Sequence, residues 1–276
     1  MGIFSILNNI PGQFAQNNLL ISNQQLQKTL YRLSSGSRIT NGGDDPGGLN
    51  LADGLKANIT ALTQSVRNAN DGVGALQVAD GALAQVTNLL TRAVTLATEA
   101  SNGILSPTQR LALDSEFTQI KAEIDRIGSL TQFNGGGIFN STISLYLTDG
   151  TSSGASTIAV NVSSLSQVGL LINNVVLSGS NGQLAQNALA SISAAVSTVA
   201  SYRGAIGASI NRLTAASNIL NAQVQNTTAS EDGIRAADIA QEVSTMTRLT
   251  VLNQTGIAAL QQSNQRMQSI LALLRG

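Results

Sequence analysis

The sequence contains no histidine and no cysteine, and it is nearly free of aromatic residues. The absence of cysteine excludes disulfide scaffolds, thiolate metal sites and thiol nucleophiles. The absence of histidine removes the most common general base and metal ligand. There is no Trp, and only 3 Tyr and 5 Phe occur in 276 residues. Because 42% of the residues are nevertheless hydrophobic, the core is expected to consist of Ala, Leu, Ile and Val.

Charge is scarce and balanced, with 15 Lys and Arg against 15 Asp and Glu. Zero net charge argues against a broad electrostatic surface for nucleic acid or anionic lipid, so neither partner is expected. No stretch approaches the roughly 20 apolar residues of a membrane span. The first five residues lack the basic start and apolar run of a cleaved secretory signal. A weakly charged surface is typical of a protein that associates.

An apolar residue recurs every 3.5 positions along a long segment that begins at Leu55. Eleven of thirteen seam positions are apolar: Leu55, Ile59, Leu62, Val66, Ala69, Val73, Leu76, Asp80, Leu83, Thr87, Leu90, Val94 and Ala97. This spacing predicts one long helix with a seam for a partner helix. Asp45 as the cap and Pro46 in the first turn predict its start. Asn102-Gly103 predicts its end.

Capping residues and apolar spacing predict two further long helices. Ser106 to Gln109 reads as a capping box with Pro107 in the first turn, and Gly128 is predicted to end that helix. Its apolar stripe is Leu113, Phe117, Ile120, Ile124 and Ile127. Another seam runs from Leu189 to Val224, so a third helix is predicted after residue 183.

Both chain ends also carry apolar seams, and Pro11 is predicted to kink or restart the first helix. These positions of the two ends are expected to form an interface: Leu7, Ile10, Phe14, Ile21, Leu26, Leu30, Leu33, Met246, Ile257, Leu260, Asn264, Met267, Leu271 and Leu274. Asn17, Asn253 and Asn264 are polar residues on these seams. They are either solvated surface residues or residues that fix the register of paired helices, and we prefer the second interpretation.

Residues 138–182 differ from the rest of the chain. Ile143, Leu145 and Leu147 alternate with polar residues, as do Ile158, Val160 and Val162 around intervening glycines, which predicts a β-hairpin. Residues 170–177 are predicted to add a strand. The fold class is therefore mainly α, an elongated rod of long antiparallel helices in coiled-coil-like packing with a small β-hairpin region in the middle of the chain.

The predicted helix over residues 45–101 would be about 85 Å long, whereas a compact globule of this chain length is about 50 Å across. The helix is therefore too long to fit inside a globule, which is why a rod is expected.

The two chain ends are expected to lie outside the central bundle and to pair mainly with each other. Ordering about 40 residues costs roughly 1–2 kcal/mol per residue, and a lone helix pair leaves much of its apolar surface wet. Both ends are therefore expected to be disordered in the free monomer and to fold when many copies associate.

Several motifs resemble those of bacterial flagellins. They are Leu33-Ser34-Ser35-Gly36-Ser37-Arg38-Ile39 with Asp44-Asp45, Arg67-Asn68-Ala69-Asn70-Asp71-Gly72, Thr131-Gln132-Phe133-Asn134-Gly135, Glu242 to Arg248, Gln262 to Gln265, and the closing Leu274-Arg275. The resemblance covers about residues 1–138 and 184–276. Only some 45 residues lie between the two matched parts, so the chain looks like a minimal flagellin without variable outer domains.

The resemblance implies a structural subunit that assembles with copies of itself into the extracellular filament of the bacterial flagellum. It implies an inner-core terminal-helix domain of residues 1–40 and 236–276, and an outer rod domain of residues 41–235 with its hairpin segment at 138–182. It also implies unfolded export through the flagellar type III apparatus, a cytoplasmic chaperone on Gln254 to Arg275, and junction and cap proteins as partners. Arg92, Leu96 and Glu116 align with positions that contact the Toll-like flagellin receptor.

Other interpretations stay open from the sequence alone. A hook–filament junction protein shares the terminal pairing, and a secreted coiled-coil scaffold shares the heptads. An enzyme is disfavoured because the acidic residues scatter along helix faces and only three lysines occur, and no cofactor is expected. Asp44-Asp45 suits helix capping better than metal binding, since no other oxygen donors cluster nearby. Arg92, Leu96 and Glu116 also fit ordinary positions on a rod surface.

Overall fold

The computed structural model of the chain describes residues 9–149 and 157–275, with side chains described up to residue 269. Leu7, Leu271 and Leu274 of the predicted interface therefore lie outside the described side chains. The helices are α1 (Ile10–Ser35), α2 (Pro46–Ala100), α3 (Pro107–Leu130), α4 (Gln183–Arg235) and α5 (Ile239–Arg275). The strands are β1 (Gln132–Phe133), β2 (Gly136–Gly137), β3 (Ser141–Tyr146) and β4 (Thr157–Val162). The predicted mainly-α class with a β-hairpin in the middle is confirmed.

The chain divides into two compact units. The terminal unit comprises residues 1–56 and 227–276, and the central unit comprises residues 57–226. The central unit holds one continuous apolar core built from α2, α3, α4 and the loops and strands between α3 and α4. The boundaries at residues 40 and 236 that the resemblance implies stay a prediction.

The predicted helix starts are confirmed, because side chains satisfy free backbone N–H groups there. Asp45 Oδ1 accepts a hydrogen bond from the Gly48 N–H at 2.9 Å, next to Pro46. Ser106 and Gln109 form the reciprocal capping box of α3. Helix α1 begins at Ile10 with Pro11 in its first turn, and Asn9 Oδ1 accepts from the Gly12 N–H at 3.0 Å.

The buried stripe of α2 is shifted from the predicted seam at every second position. Leu62, Leu76, Leu83 and Leu90 are buried as predicted, but Val66, Val73 and Val94 are only partly buried. The residues one position earlier are buried instead: Ser65, Gly72, Ala79, Val86 and Ala93. Most of these are small, so neighbouring elements approach α2 closely at these positions. The spacing of 3.5 residues alone does not determine which of two adjacent positions faces the neighbouring element.

Strands β3 and β4 pair antiparallel, with Ile143 opposite Val160 and Leu145 opposite Ile158. The predicted hairpin is confirmed. A second hairpin, β1–β2, was not predicted. Its turn is Asn134-Gly135, with positive φ at both residues, and Asn-Gly is the typical signal for such a two-residue turn.

The strand predicted at residues 170–177 is wrong, since this segment consists of turns and coil. Leu170, Ile172 and Leu177 are buried as the apolar run suggested. The backbone groups of the segment bond to side chains of α3 instead of a neighbouring strand. The Leu177 N–H donates to Asp114 at 2.7 Å, and the Lys121 ammonium donates to the Val175 carbonyl at 2.9 Å.

Gly128 does not end α3, which continues to Leu130. A Cβ at this position would overlap the Leu165 carbonyl. The glycine therefore allows the chain after β4 to lie directly against the helix.

Candidate self-assembly surface

Helices α1 and α5 form an antiparallel pair within the terminal unit. Three polar contacts fix their register along the pair: Arg32 to Glu242 (3.2 Å), Asn23 to Asn253, and Asn9 to Asn264 (3.3 Å). Between them, Leu19 lies over Gly256, where a Cβ would come within 2.8 Å of Leu19 Cδ1. A buried or half-buried polar pair favours one register because any slip leaves its groups without partners.

Two of the three seam asparagines predicted to fix register therefore bond across the helix pair. Asn253 bonds to Asn23, and Asn264 lies beside Asn9, which also accepts a hydrogen bond from Ser263 at 2.8 Å. Asn17 is exposed. The polar residues give the pair its alignment but contribute little apolar burial.

The terminal unit buries few apolar side chains. Among its described residues, the buried hydrophobic ones are Ile39, Ala52 and Leu249. The large exposed ones are Ile10, Phe14, Leu20, Ile21, Leu30, Tyr31, Leu51, Ile239, Val243, Val251, Leu252 and Ile257. Phe14 is 66% exposed. Eleven of these twelve lie on α1 and α5, and exposed apolar patches are in general candidates for interaction sites.

The predicted interface residues divide into two groups. Ile10, Phe14, Ile21, Leu30 and Ile257 are exposed on the surface of the helix pair. Leu26, Leu33, Met246, Leu260 and Met267 are partly buried, whereas Asn264 is exposed. The first group is therefore on the surface and most of the second group is partly covered, while their role in an interface stays a prediction.

The turn between α1 and α2 is held by an ionic cluster around Asp44. The Lys28 ammonium lies 2.5 Å from its carboxylate, and Thr40 donates to it through its N–H at 3.1 Å and its hydroxyl at 2.9 Å. The hydrogen bond from Lys28, helped by that from the Thr40 backbone, holds the pKa of Asp44 well below its usual range. No cluster of three candidate metal ligands occurs among the described residues.

The three aligned receptor positions lie where α2 and α3 run side by side. The Arg92 guanidinium forms a bidentate pair with Glu116, at 2.7 and 3.1 Å, on the exposed surface. The Arg92 hydrogen bond lowers the pKa of the Glu116 carboxyl. Leu96 is fully buried beneath this surface. Of the three aligned positions, Arg92 and Glu116 are therefore exposed and Leu96 is buried, and their role as receptor contacts stays a prediction.

In the described part of the chain, no helix has the length and apolarity needed to cross a membrane.

Comparison with known proteins identifies the family. The profile of the bacterial flagellin N-terminal helical region matches residues 6–144, and the profile of the C-terminal helical region matches residues 189–274. The chain is 33% identical to flagellin FlaB2 of Treponema pallidum and 36% identical to a flagellin of Halalkalibacterium halodurans. Both alignments cover 98% of this chain and 99% of the relative.

A solved structure shares the fold at lower identity. A hook-associated flagellar protein of Vibrio parahaemolyticus, described as such only provisionally, is 15% identical with a TM-score of 0.58, over 70% of this chain and all of that one. The full-length relatives, in contrast, are flagellins. The chain therefore belongs to the bacterial flagellin family, whose members are structural subunits of the extracellular flagellar filament.

Proposed function

We propose that this chain polymerises with copies of itself into the flagellar filament by burying the exposed apolar surface of the α1–α5 pair between subunits. The observation that supports this most strongly is the contrast between the two units. The central unit has a continuous buried core, whereas the terminal unit, among its described residues, buries only three hydrophobic side chains and leaves twelve large ones exposed. Association would remove that surface from water, at roughly 25 cal/mol per Å².

The inner-core domain of residues 1–40 and 236–276 is proposed to line the filament, with residues 41–235 outside it. Heterologous contacts that do not close on themselves generate an open helical tube. A chain with no net charge polymerises without long-range repulsion between copies.

Seeded polymerisation of purified protein tests this proposal. Phe14→Gln places a polar residue on the proposed interface, and Leu111→Gln does the same at a similarly exposed position of α3 in the central unit, 60% exposed. We expect Phe14→Gln to raise the critical concentration at least tenfold, since it removes most of the burial of one aromatic side chain. Leu111→Gln is expected to polymerise like the wild type. Equal critical concentrations for the two variants would refute the proposal that the terminal unit forms the interface.

The same weak terminal core supports export of the chain in an unfolded state through the flagellar type III apparatus. A helix pair with little burial opens easily, and the absence of cysteine leaves no covalent crosslink to resist unfolding. We propose that a cytoplasmic chaperone holds the apolar positions of residues 254–275 before export, and that junction and cap proteins bind at the filament ends. Co-purification of full-length chain and of a chain lacking residues 254–276 from an export-blocked strain tests the chaperone.

A hook–filament junction role is the alternative. The two roles differ in one property, because a filament subunit polymerises alone at high concentration, whereas a junction protein adds only to a different protein. Electron microscopy of purified protein, seeded only with its own fragments, separates them.

We also propose that the exposed ion pair of Arg92 and Glu116 is a contact surface for the Toll-like flagellin receptor, with Leu96 supporting it from beneath. The chain offers a matched control, since Arg126 and Glu123 form a similarly exposed pair on α3. Arg92→Asp is expected to reduce receptor signalling strongly, whereas Arg126→Asp leaves it unchanged. Equal signalling by Arg92→Asp and wild type would refute this role.

A further inference from the structure

The chain contains four Asn-Gly sequences whose chemistry does not depend on polymerisation. They are Asn41-Gly42, Asn102-Gly103, Asn134-Gly135 and Asn181-Gly182. Asparagine is a thermolabile residue, because the backbone nitrogen of the following residue can attack its side-chain amide. Glycine in the following position favours this attack, since it has no Cβ and leaves the backbone free to rotate. The four sites share one dipeptide, so a difference in their reactivity reflects the fold around each.

Hydrogen bonds hold the asparagine at three of the four sites. The Oδ1 atoms of Asn41, Asn102 and Asn181 each accept from the backbone N–H two residues later, at 3.1, 3.3 and 3.3 Å. The Asn41 carbonyl accepts from the Asp44 N–H at 3.1 Å, and the Asn102 carbonyl accepts from the Arg110 guanidinium at 2.9 Å. These bonds fix both the side-chain rotamer and the peptide group that must rotate toward each other during the attack.

Close packing adds a further restraint at the fourth Asn-Gly sequence along the chain. Gly182 is buried, and a Cβ at this position would overlap the Ser101 carbonyl. The peptide group between Asn181 and Gly182 therefore has little room to rotate or to accommodate a new ring.

The Asn134-Gly135 turn of the β1–β2 hairpin lacks these restraints. Both residues are exposed. Neither the side chain nor the peptide carbonyl of Asn134 forms a hydrogen bond with another described residue, and the Gly135 N–H donates none in that part of the chain. A Cβ at Gly135 would meet no atom within 4 Å, so there is room for a ring that joins the two residues.

We propose that Asn134 is a site of spontaneous deamidation in the folded chain, with water as the co-reactant. The Gly135 nitrogen loses its proton to hydroxide and forms a bond to Cγ of Asn134, and the side-chain nitrogen leaves as ammonia, which closes a five-membered succinimide. Water then adds to one of the two ring carbonyls and breaks its bond to the ring nitrogen, which regains a proton. Opening at Cγ gives aspartate, and opening at the backbone carbonyl gives isoaspartate. One water is consumed, one ammonia is released, and a neutral amide becomes a carboxylate.

The modification changes both the backbone and the charge of the β1–β2 hairpin. Isoaspartate adds one methylene to the backbone of a two-residue turn whose strands pair Phe133 with Gly136, so the lengthened turn no longer matches this register. The Phe133 ring lies against α2, 3.9 Å from the Cβ position of Gly74. The new carboxylate also shares the lining of one open groove with Asp71, and like charges repel. Deamidation is therefore expected to loosen the hairpin from α2.

Timed incubation of the purified full-length chain, dilute and unseeded in mildly alkaline buffer, tests the site. Deamidation adds one negative charge to a chain with no net charge, so anion exchange separates the modified form. Tandem mass spectrometry of proteolytic peptides then measures the rate at each of the four asparagines. The same chain unfolded in guanidinium chloride is the matched control, because all four sites then lack a fold.

In the folded chain, we expect Asn134 to deamidate at least about fivefold faster than Asn41, Asn102 and Asn181, since the hydrogen bonds at those sites must break first. The four rates are expected to converge in the unfolded chain. Isoaspartate is expected among the products at residue 134, because direct hydrolysis of the amide gives aspartate alone. Equal rates at the four sites of the folded chain, or aspartate as the sole product, would overturn the proposal.

Hydrogen exchange of the separated forms measures the effect on the hairpin. Peptides covering residues 131–138 are expected to exchange faster in the isoaspartate form than in the unmodified chain, whereas peptides from α3 do not change. Asn134→Asp carries the new charge without the longer backbone, so its exchange is expected to be intermediate. Equal exchange in the isoaspartate and unmodified forms would refute the loosening of the hairpin.

Discussion

Replacing both members of the Asn23–Asn253 pair with leucine is predicted to close the terminal helix pair in the free monomer. The two amides bond to each other across the seam of α1 and α5, and both side chains are half-buried. Leucines at these positions would pack together instead, since an asparagine on a helix seam trades stability for register.

The size of the effect follows from the burial. A fully buried leucine contributes about 1.5–3 kcal/mol, so a half-buried one contributes about 1 kcal/mol. The double variant therefore gains about 2 kcal/mol, which is about a 30-fold shift in the equilibrium between open and closed helix pairs. The single variant Asn253→Leu gains one leucine but leaves the Asn23 amide without its partner, at a loss of about 0.5–1.5 kcal/mol. It is expected to stay close to the wild type.

Hydrogen exchange followed by mass spectrometry measures this directly in dilute monomer. Peptides from α1 and α5 of the double variant are expected to exchange about 30-fold more slowly than those of the wild type, whereas peptides from α3 do not change. Exchange in the double variant that is as fast as in the wild type would refute the role of the asparagine pair. The stabilised variant is also expected to form filaments of altered shape, since register is no longer fixed by a polar pair.

Two further predictions concern the fold. Gly128→Ala is expected to destabilise the central unit by about 1–3 kcal/mol, because its Cβ overlaps the Leu165 carbonyl. Gly81→Ala has open space at its Cβ and is expected to stabilise the unit by about 0.5–1 kcal/mol. Urea unfolding measures both free energies, and stabilisation by Gly128→Ala would contradict the close approach of residue 165 to α3. Because the pKa of Asp44 is lowered by Lys28 and the Thr40 backbone, its stabilising contribution is complete above the unfolded pKa of about 4 and declines as the pH falls toward the folded pKa. Asp44→Asn is therefore expected to lower the unfolding temperature of the α1–α2 turn region at pH 7 and to matter progressively less under acidic conditions, and a difference that grows with falling pH would contradict this.

The helix starts and the main hairpin were predictable because local chemistry determines them. A capping side chain next to a proline satisfies the first N–H groups wherever it occurs, which explains the success at Asp45, Ser106 and Pro11. The alternation of apolar and polar residues in β3 and β4 was also visible in the local sequence, since one face of the hairpin is buried. The Asn134-Gly135 dipeptide is a local signal for the β1–β2 turn, but the two-residue strands on either side are too short to show an alternating pattern.

The failures arose where tertiary contacts decide the structure. Gly128 resembles a helix stop in the sequence, and only the approach of Leu165 explains why it lies inside α3. The apolar run at 170–177 resembles a strand, but Asp114 and Lys121 of α3 bind its backbone groups. The phase of the α2 seam depended on which side the hairpin packs, and small residues such as Ser65 and Gly72 mark that side.

The location of the candidate assembly surface was predictable from the sequence, but the exposure of its individual residues was not. The apolar seams at both chain ends located the terminal pair, whereas the division between exposed Phe14 and half-buried Leu26 required the structure.

Hydrogen exchange of the wild-type chain, compared between dilute monomer and assembled filament, tests the central claim most directly. We expect peptides from α1 and α5 to exchange rapidly in the monomer and slowly in the filament, while the buried positions of α2, α3 and α4 are protected in both. Slow exchange of both terminal helices in the monomer, at the level of the central unit, would contradict the account.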